Sequence, residues 1–172
     1  YKFDVIGYGC TSASLLIGDE KITKIVQSKV RTDNVTTPML AVKKALKTLG
    51  TNKIGYIAPY ISEIAHKMCS HLGQAGFEVV KAATFAEDRD SVVGVITPKS
   101  IFKAIETLID HSDNLDAIFI SCTSLKCASI ISLAEEKFGL PLLSSNSVLA
   151  WDMMKLSKAT VSKKGKGKLF NF

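Results

Sequence analysis

Asp116-Ala117-Ile118-Phe119-Ile120-Ser121-Cys122-Thr123-Ser124 decides the fold, because a short apolar run there ends in a cysteine flanked by hydroxyls. Such a run reads as a strand buried on both faces. The plan recurs near the start, in Asp4-Val5-Ile6-Gly7-Tyr8-Gly9-Cys10-Thr11-Ser12, with the acidic residue six positions before the cysteine both times and Cys-Thr-Ser in the same order. Each Ser is followed by a segment that can be helical. Strand-to-helix corners are where open α/β sheets bind ligands, so two matched corners predict two half-sites facing each other. Backbone N–H groups at a helix start favour anions and thiolates. A single cysteine is more often an inert small core residue; its repetition in one motif reverses that preference.

Composition narrows the setting. The 172 residues suffice for one substantial core, or for two small lobes sharing a cleft. Four cysteines, at 10, 69, 122 and 127, lack metal-ligand spacing, and none of the three histidines stands near a Cys-x-x-Cys pair. Reduced thiols in a cytoplasm are therefore expected, with no metal. The formal charge of +6 is partly a tail effect, since six of the 22 basic residues lie between Lys155 and Lys168. No basic stripe interleaved with aromatics appears elsewhere, which argues against nucleic acid. No apolar run is long enough for a bilayer, and none has the form of a secretory leader.

Along the chain, Phe3–Gly9 is predicted as a strand, with helical spacing over Ser12–Ile17 and again over Glu20–Val26. Thr37 as N-cap and Pro38 at the first position start a helix whose face is Met39, Val42, Leu46 and Leu49, and Gly50 closes it. Lys53–Ala58 is a strand and Ser62–Ala75 a helix stopped by Gly76. Phe77–Ala82 is the next strand, before the polar connection Glu87-Asp88-Arg89-Asp90-Ser91. Thr97-Pro98 repeats the cap device ahead of Ile101, Phe102, Ile105, Leu108 and Ile109. The strand Ala117–Ser121 follows, then a helix over Leu125–Phe138, a strand through Leu140–Asn146 and a helix over Val148–Leu156. Strands alternating with helices imply a parallel sheet covered on both faces. The expected division is 1–50 as part of an N-terminal lobe, 51–150 as a C-terminal α/β lobe, and 151–172 as a last helix and basic tail returning toward the first lobe. Two βα units beginning at Lys53 precede Cys122, whereas one strand precedes Cys10. The first lobe is accordingly expected to lack upstream strands here.

These residues resemble the aspartate/glutamate racemase superfamily, within it the branch of maleate cis–trans isomerase and arylmalonate decarboxylase. The resemblance covers nearly the whole chain. It rests on Gly9-Cys10-Thr11-Ser12, Val35-Thr36-Thr37-Pro38, Pro59-Tyr60, Ser121-Cys122-Thr123-Ser124-Leu125, Ser144-Ser145-Asn146 followed by Trp151, and a Gly-x-Gly-x-Leu-Phe motif from Gly165 to Phe170. It implies two similar α/β lobes with one cysteine from each in the cleft, and a cofactor-independent enzyme acting on a small carboxylate or dicarboxylate. Cys10 would be the nucleophile that adds to the double bond of a cis-dicarboxylate such as maleate, and Cys122 would handle the proton. Thr11, Ser12, Thr123 and Ser124 would supply donors to the carboxylates, with Tyr60 bonding one of them and Asn146 at the rim. The related decarboxylases carry glycine at the position of Cys10. A two-thiol amino-acid racemase needs nearly the same equipment, and an inactive anion-binding protein could keep the fold. A homo-oligomer is compatible with each reading.

Other residues receive plainer readings. Cys69 and Cys127 are expected in helix packing, and His66, His71 and His111 need no role beyond polarity. Asp4 and Asp116 are read as turn or cap residues. Asn146 serves equally well as the cap of the final helix. Asp88 and Asp90 stand where the resembling enzymes would present an asparagine, and carboxylates there oppose a dianionic substrate.

Overall fold

The computed structural model describes residues 1–160 and 166–172; Gly165 of the terminal motif, and Lys163 and Lys164 of the basic tail, lie outside the described residues. Its centre is a four-stranded parallel sheet of β5 (Lys53–Ala58), β6 (Glu78–Thr84), β7 (Ala117–Ile120) and β8 (Leu142–Ser144), in the order β6-β5-β7-β8. The stretch around Cys122 is thus an inner strand. Alternation along β7 sends Ala117 and Phe119 to one face and Ile118 and Ile120 to the other, and all four are fully buried. Burying a side chain of that size contributes about 1.5–3 kcal/mol relative to exposure.

Helices α3 (Pro38–Leu49), α4 (Ser62–Gln74) and α8 (Ser145–Ser157) share a core with the Phe119 face. The short helix α5 (Asp90–Val93) and helices α6 (Pro98–Asp110) and α7 (Ile131–Phe138) cover the Ile118 face. The cap residues work as their sequence suggests: Thr37 accepts from the Leu40 amide and Thr97 from that of Ser100, both at 3.1 Å. Gly50 closes α3 in the left-handed conformation, φ 67°, where an L side chain is strained. Leu169 and Phe170, in a final 3₁₀ turn (Lys168–Asn171), dock into the core, while Phe172 stays exposed. Asp116 takes the turn role expected of it, accepting from the Asn52 and Lys53 amides.

Ahead of the main sheet stand two short parallel pairs, β1 (Lys2–Phe3) with β3 (Arg31–Thr32) and β2 (Ile6–Gly7) with β4 (Val35–Thr36). The predicted single strand Phe3–Gly9 is therefore broken at Asp4–Val5. Helices α1 (Thr11–Ile17) and α2 (Asp19–Gln27) join the pairs. Helix α8 reaches back to them, because buried Asp152 accepts from Thr36 Oγ1 at 2.5 Å and from Lys44 Nζ at 2.8 Å.

Two expectations are corrected. The helix predicted over Leu125–Phe138 begins only at Ile131; Cys122 takes φ 108° and the chain continues in turns, with Leu125, Cys127 and Ile130 buried from irregular backbone. Asn146 does not cap the last helix. Ser144 does, because Ser147 at the third helical position completes a capping box with it.

Candidate functional site

Both cysteines leave short parallel strands at their carboxyl ends, as the corner motif requires. Cys10 is the N-cap of α1, partly buried, with its Sγ 3.7 Å from Ser12 Oγ. Cys122 follows β7 at 7% exposure. Because the helix after it starts late, the second corner is a turn rather than a helix start.

Hydrogen bonds tie the corners together. Thr123 Oγ1 donates to the Gly9 carbonyl at 3.0 Å, and Asn146 Nδ2 donates to the Thr123 carbonyl at 2.9 Å. Thr11 Oγ1 donates to Ser145 Oγ at 2.9 Å, and the same oxygen accepts from the Cys122 amide at 3.0 Å. Three side chains read from sequence as donors to a substrate thus bond to the protein itself. The amide N–H groups of Thr11, Ser12, Thr123 and Ser124 donate to no acceptor among the described residues.

A cavity of about 270 Å³ opens beside Cys122, lined by Ser12, Leu16, Tyr60, Ile61, Ile64, Val93 and the carboxylates of Glu87, Asp88 and Asp90. Burial, and then the charge of Cys122 beside it, push the Tyr60 phenol well above its ordinary range, so it stays a donor. Glu87 is paired with Arg89 at 2.8 Å, and the bonds from that residue hold its carboxyl at about 2. Asp88 and Asp90 have no cationic side-chain partner among the described residues. No Lys or Arg among the described residues lines the cavity. The sequence names Ser145 only within the Ser144-Ser145-Asn146 motif and Glu87 only within the polar connection, and gives neither a role of its own; the available signal is their place just beyond the ends of parallel strands.

The remaining thiols lie apart from this chemistry. Burial, and then the charge of Cys122, raise Cys127 to about 12, and burial raises Cys69. Burial also raises Tyr56, whose hydroxyl, like that of Ser121 beside it, is buried with no partner within hydrogen-bond geometry among the described residues. An unfolded chain ionises such groups near their ordinary values of about 8.5 for Cys and 10 for Tyr, while the folded chain keeps their protons. Their contribution to stability is thus complete below about pH 8.5 and is lost as pH rises toward 12. The melting temperature should fall above about pH 9, and iodoacetamide at about pH 8.5 should leave Cys127 unmodified in the native protein. A flat melting curve through pH 10.5 would contradict this.

Among the described residues no cluster of His, Cys, Asp and Glu is placed to hold a metal ion, and no helix is long and apolar enough to cross a membrane.

Comparison with known proteins agrees with this architecture. The arylmalonate decarboxylase family profile matches residues 4–170. A maleate isomerase of Alcaligenes faecalis is 24% identical over 162 residues, covering 90% of this chain and 63% of its own length. One of Nocardia farcinica is 25% identical over 174 residues, covering 96% and 68%. The chain thus spans about two thirds of the length of the curated relatives it matches. A solved structure of the Nocardia farcinica maleate cis–trans isomerase, a cysteine-to-serine mutant with a covalently bound succinylcysteine intermediate, superposes with a TM-score of 0.85 at 20% identity, covering 97% of this chain and 71% of that one.

Proposed function

The chain belongs to the arylmalonate decarboxylase family, and from that premise we propose that it is a cofactor-independent isomerase of a small acid whose double bond is conjugated to a carboxylate, with maleate to fumarate as the type reaction. The observation that supports this reading is the set of bonds from Thr11 through Ser145 to the Cys122 amide and from Thr123 to Gly9, which holds the two cysteine corners side by side; Cys122 and Ser12, though not Cys10, line the cavity. The resembling decarboxylases have glycine at the first corner, so Cys10 favours addition chemistry. The succinylcysteine held by the Nocardia farcinica enzyme is what such addition produces.

In this reading the Cys10 thiolate adds to one alkene carbon, and the π pair moves onto the adjoining carboxylate. Cys122 gives its proton to the neighbouring carbon. The former double bond is now single and rotates. Cys122 then takes the proton back, the C–S bond breaks with its pair returning to Cys10, and the trans acid leaves. The developing enolate-like charge needs preorganised donors. We assign these to the amides of Thr11, Ser12, Thr123 and Ser124 and to the Tyr60 phenol. Asn146 acts by holding Thr123.

One observation favours a second reading, a two-thiol racemase. The cavity is lined by carboxylates and by no cation, which suits the ammonium of an amino acid better than a second carboxylate. Proton NMR separates the readings: maleate to fumarate conversion, α-deuterium exchange of amino acids, or carbon dioxide release from an aryl malonate. With an isomerase, Asp88→Asn/Asp90→Asn should raise kcat/KM for maleate by about tenfold, as two like charges leave the approach of a dianion. With a racemase the same double variant should weaken amino-acid turnover instead. No conversion of any of these acids would leave the inactive, anion-binding reading.

A further inference from the structure

Ser145 begins α8 and is fully buried, yet its hydroxyl plays no part in starting the helix, because Ser144 and Ser147 form the capping box. Its oxygen instead accepts from Thr11 Oγ1 and from the Cys122 amide, partners 134 and 23 residues away in sequence. Thr11 adjoins Cys10, the candidate nucleophile. Cys122 has φ 108°, a conformation that an L side chain adopts only when its surroundings hold it there. We propose that Ser145 is a positioning residue that fixes the two thiols relative to one another, acting through Thr11 on one side and through the backbone of Cys122 on the other. The inference rests on the two-thiol reading above.

The chemistry of the hydroxyl explains why one residue can do this. A serine oxygen has two acceptor sites, and here each is taken by a different corner. Neither corner shifts without stretching a bond to an oxygen that the other also holds. The second link, Thr123 Oγ1 to the Gly9 carbonyl, joins the same two corners without passing through Ser145. It limits large separation but leaves the angle of the Cys122 backbone to Ser145. Misplacement of reacting groups by about 1 Å can cost on the order of 10²-fold in rate.

The test compares Ser145→Ala, Ser145→Thr and Thr11→Val with the parent in the full-length protein. Three readouts are needed: kcat and KM for maleate, iodoacetamide alkylation of Cys10 and of Cys122 followed separately by peptide mass, and thermal unfolding. Ser145→Ala should lower kcat by about 10²-fold with little change in KM, and should change the alkylation rate of both cysteines several-fold. Ser145→Thr keeps the oxygen and should stay close to the parent. Thr11→Val removes the side-chain bond from the first corner to Ser145 and leaves the Gly9–Thr123 link in place, so a several-fold change in Cys122 alkylation there supports the coupling even if Ser145→Ala does not fold. The proposal is overturned by a folded Ser145→Ala that matches the parent in kcat and alkylation, by a folded Ser145→Thr as impaired as the alanine variant, or by Thr11→Val leaving Cys122 unaffected. If the parent isomerises no acid, the isomerase reading fails, while the alkylation rates still decide the role of Ser145.

Discussion

Cys10→Ala should lose turnover of a cis-alkenoate by about 10³-fold or more while melting within a few degrees of the parent. The carbon–sulfur bond is what converts the alkene into a single bond, and Cys122, the other thiol of the site, is in this reading committed to moving the proton at the opposite alkene carbon. Ser12, whose oxygen is 3.7 Å from Cys10 Sγ, carries a hydroxyl that holds its proton far more tightly than a thiol. Cys127 is buried and keeps its proton to about 12. Cys69 belongs to α4 and packs against the core. The fold should tolerate the change because Cys10 is only partly buried and Ser12 is its sulfur's one hydrogen-bond partner among the described residues. Undiminished fumarate formation by a folded Cys10→Ala protein would remove the nucleophile from the mechanism.

Cys122→Ser should have a different signature. Loss of a positioned proton donor and acceptor typically costs about 10²–10⁴-fold, and here it strikes both the proton delivery that completes the covalent adduct, which solvent can replace, and the proton removal that resolves it. Intact-mass measurement of the acid-quenched protein should then find one maleic acid added, with peptide mapping locating it on Cys10. Serine is the suitable replacement because it preserves the size of a side chain that is nearly buried and stands on strained backbone. A slowed enzyme with no adduct would favour proton shuttling between two thiols, hence the racemase reading. An adduct found on a serine-free peptide away from Cys10 would contradict both.

The elements legible in the sequence were those with local, redundant signals. Helices α3 and α6 carry a threonine cap, a proline and a regular apolar face, and each forms where those residues stand. Strands β5 and β7 show continuous apolar runs because helices cover both faces of the sheet. The segment after Cys122 misled because Cys127, Ile130, Ile131 and Ala134 have helix-like spacing, yet the positive φ at Cys122 sends the chain into turns that bury Leu125, Cys127 and Ile130 before the helix starts. Strands β3 and β4 have two residues each, too few for any periodicity to show. At the site, residue types were legible and partners were not. Thr11, Thr123 and Asn146 look like donors for an anion, but the Thr11 and Thr123 side chains bond across the two corners between chain segments more than a hundred residues apart, and Asn146 bonds the Thr123 carbonyl.

Helix α8 has a consequence for how the pocket can change shape. Ser145 and Asp152 lie seven residues apart, about two turns and hence on one side of the helix. The first is pinned to the cysteine corners and the second to Thr36 and Lys44. A slip of one residue would rotate the helix by about 100° and pull both side chains off their partners. The rod is keyed at two points along its length, so the wall of the site that it carries is fixed in register.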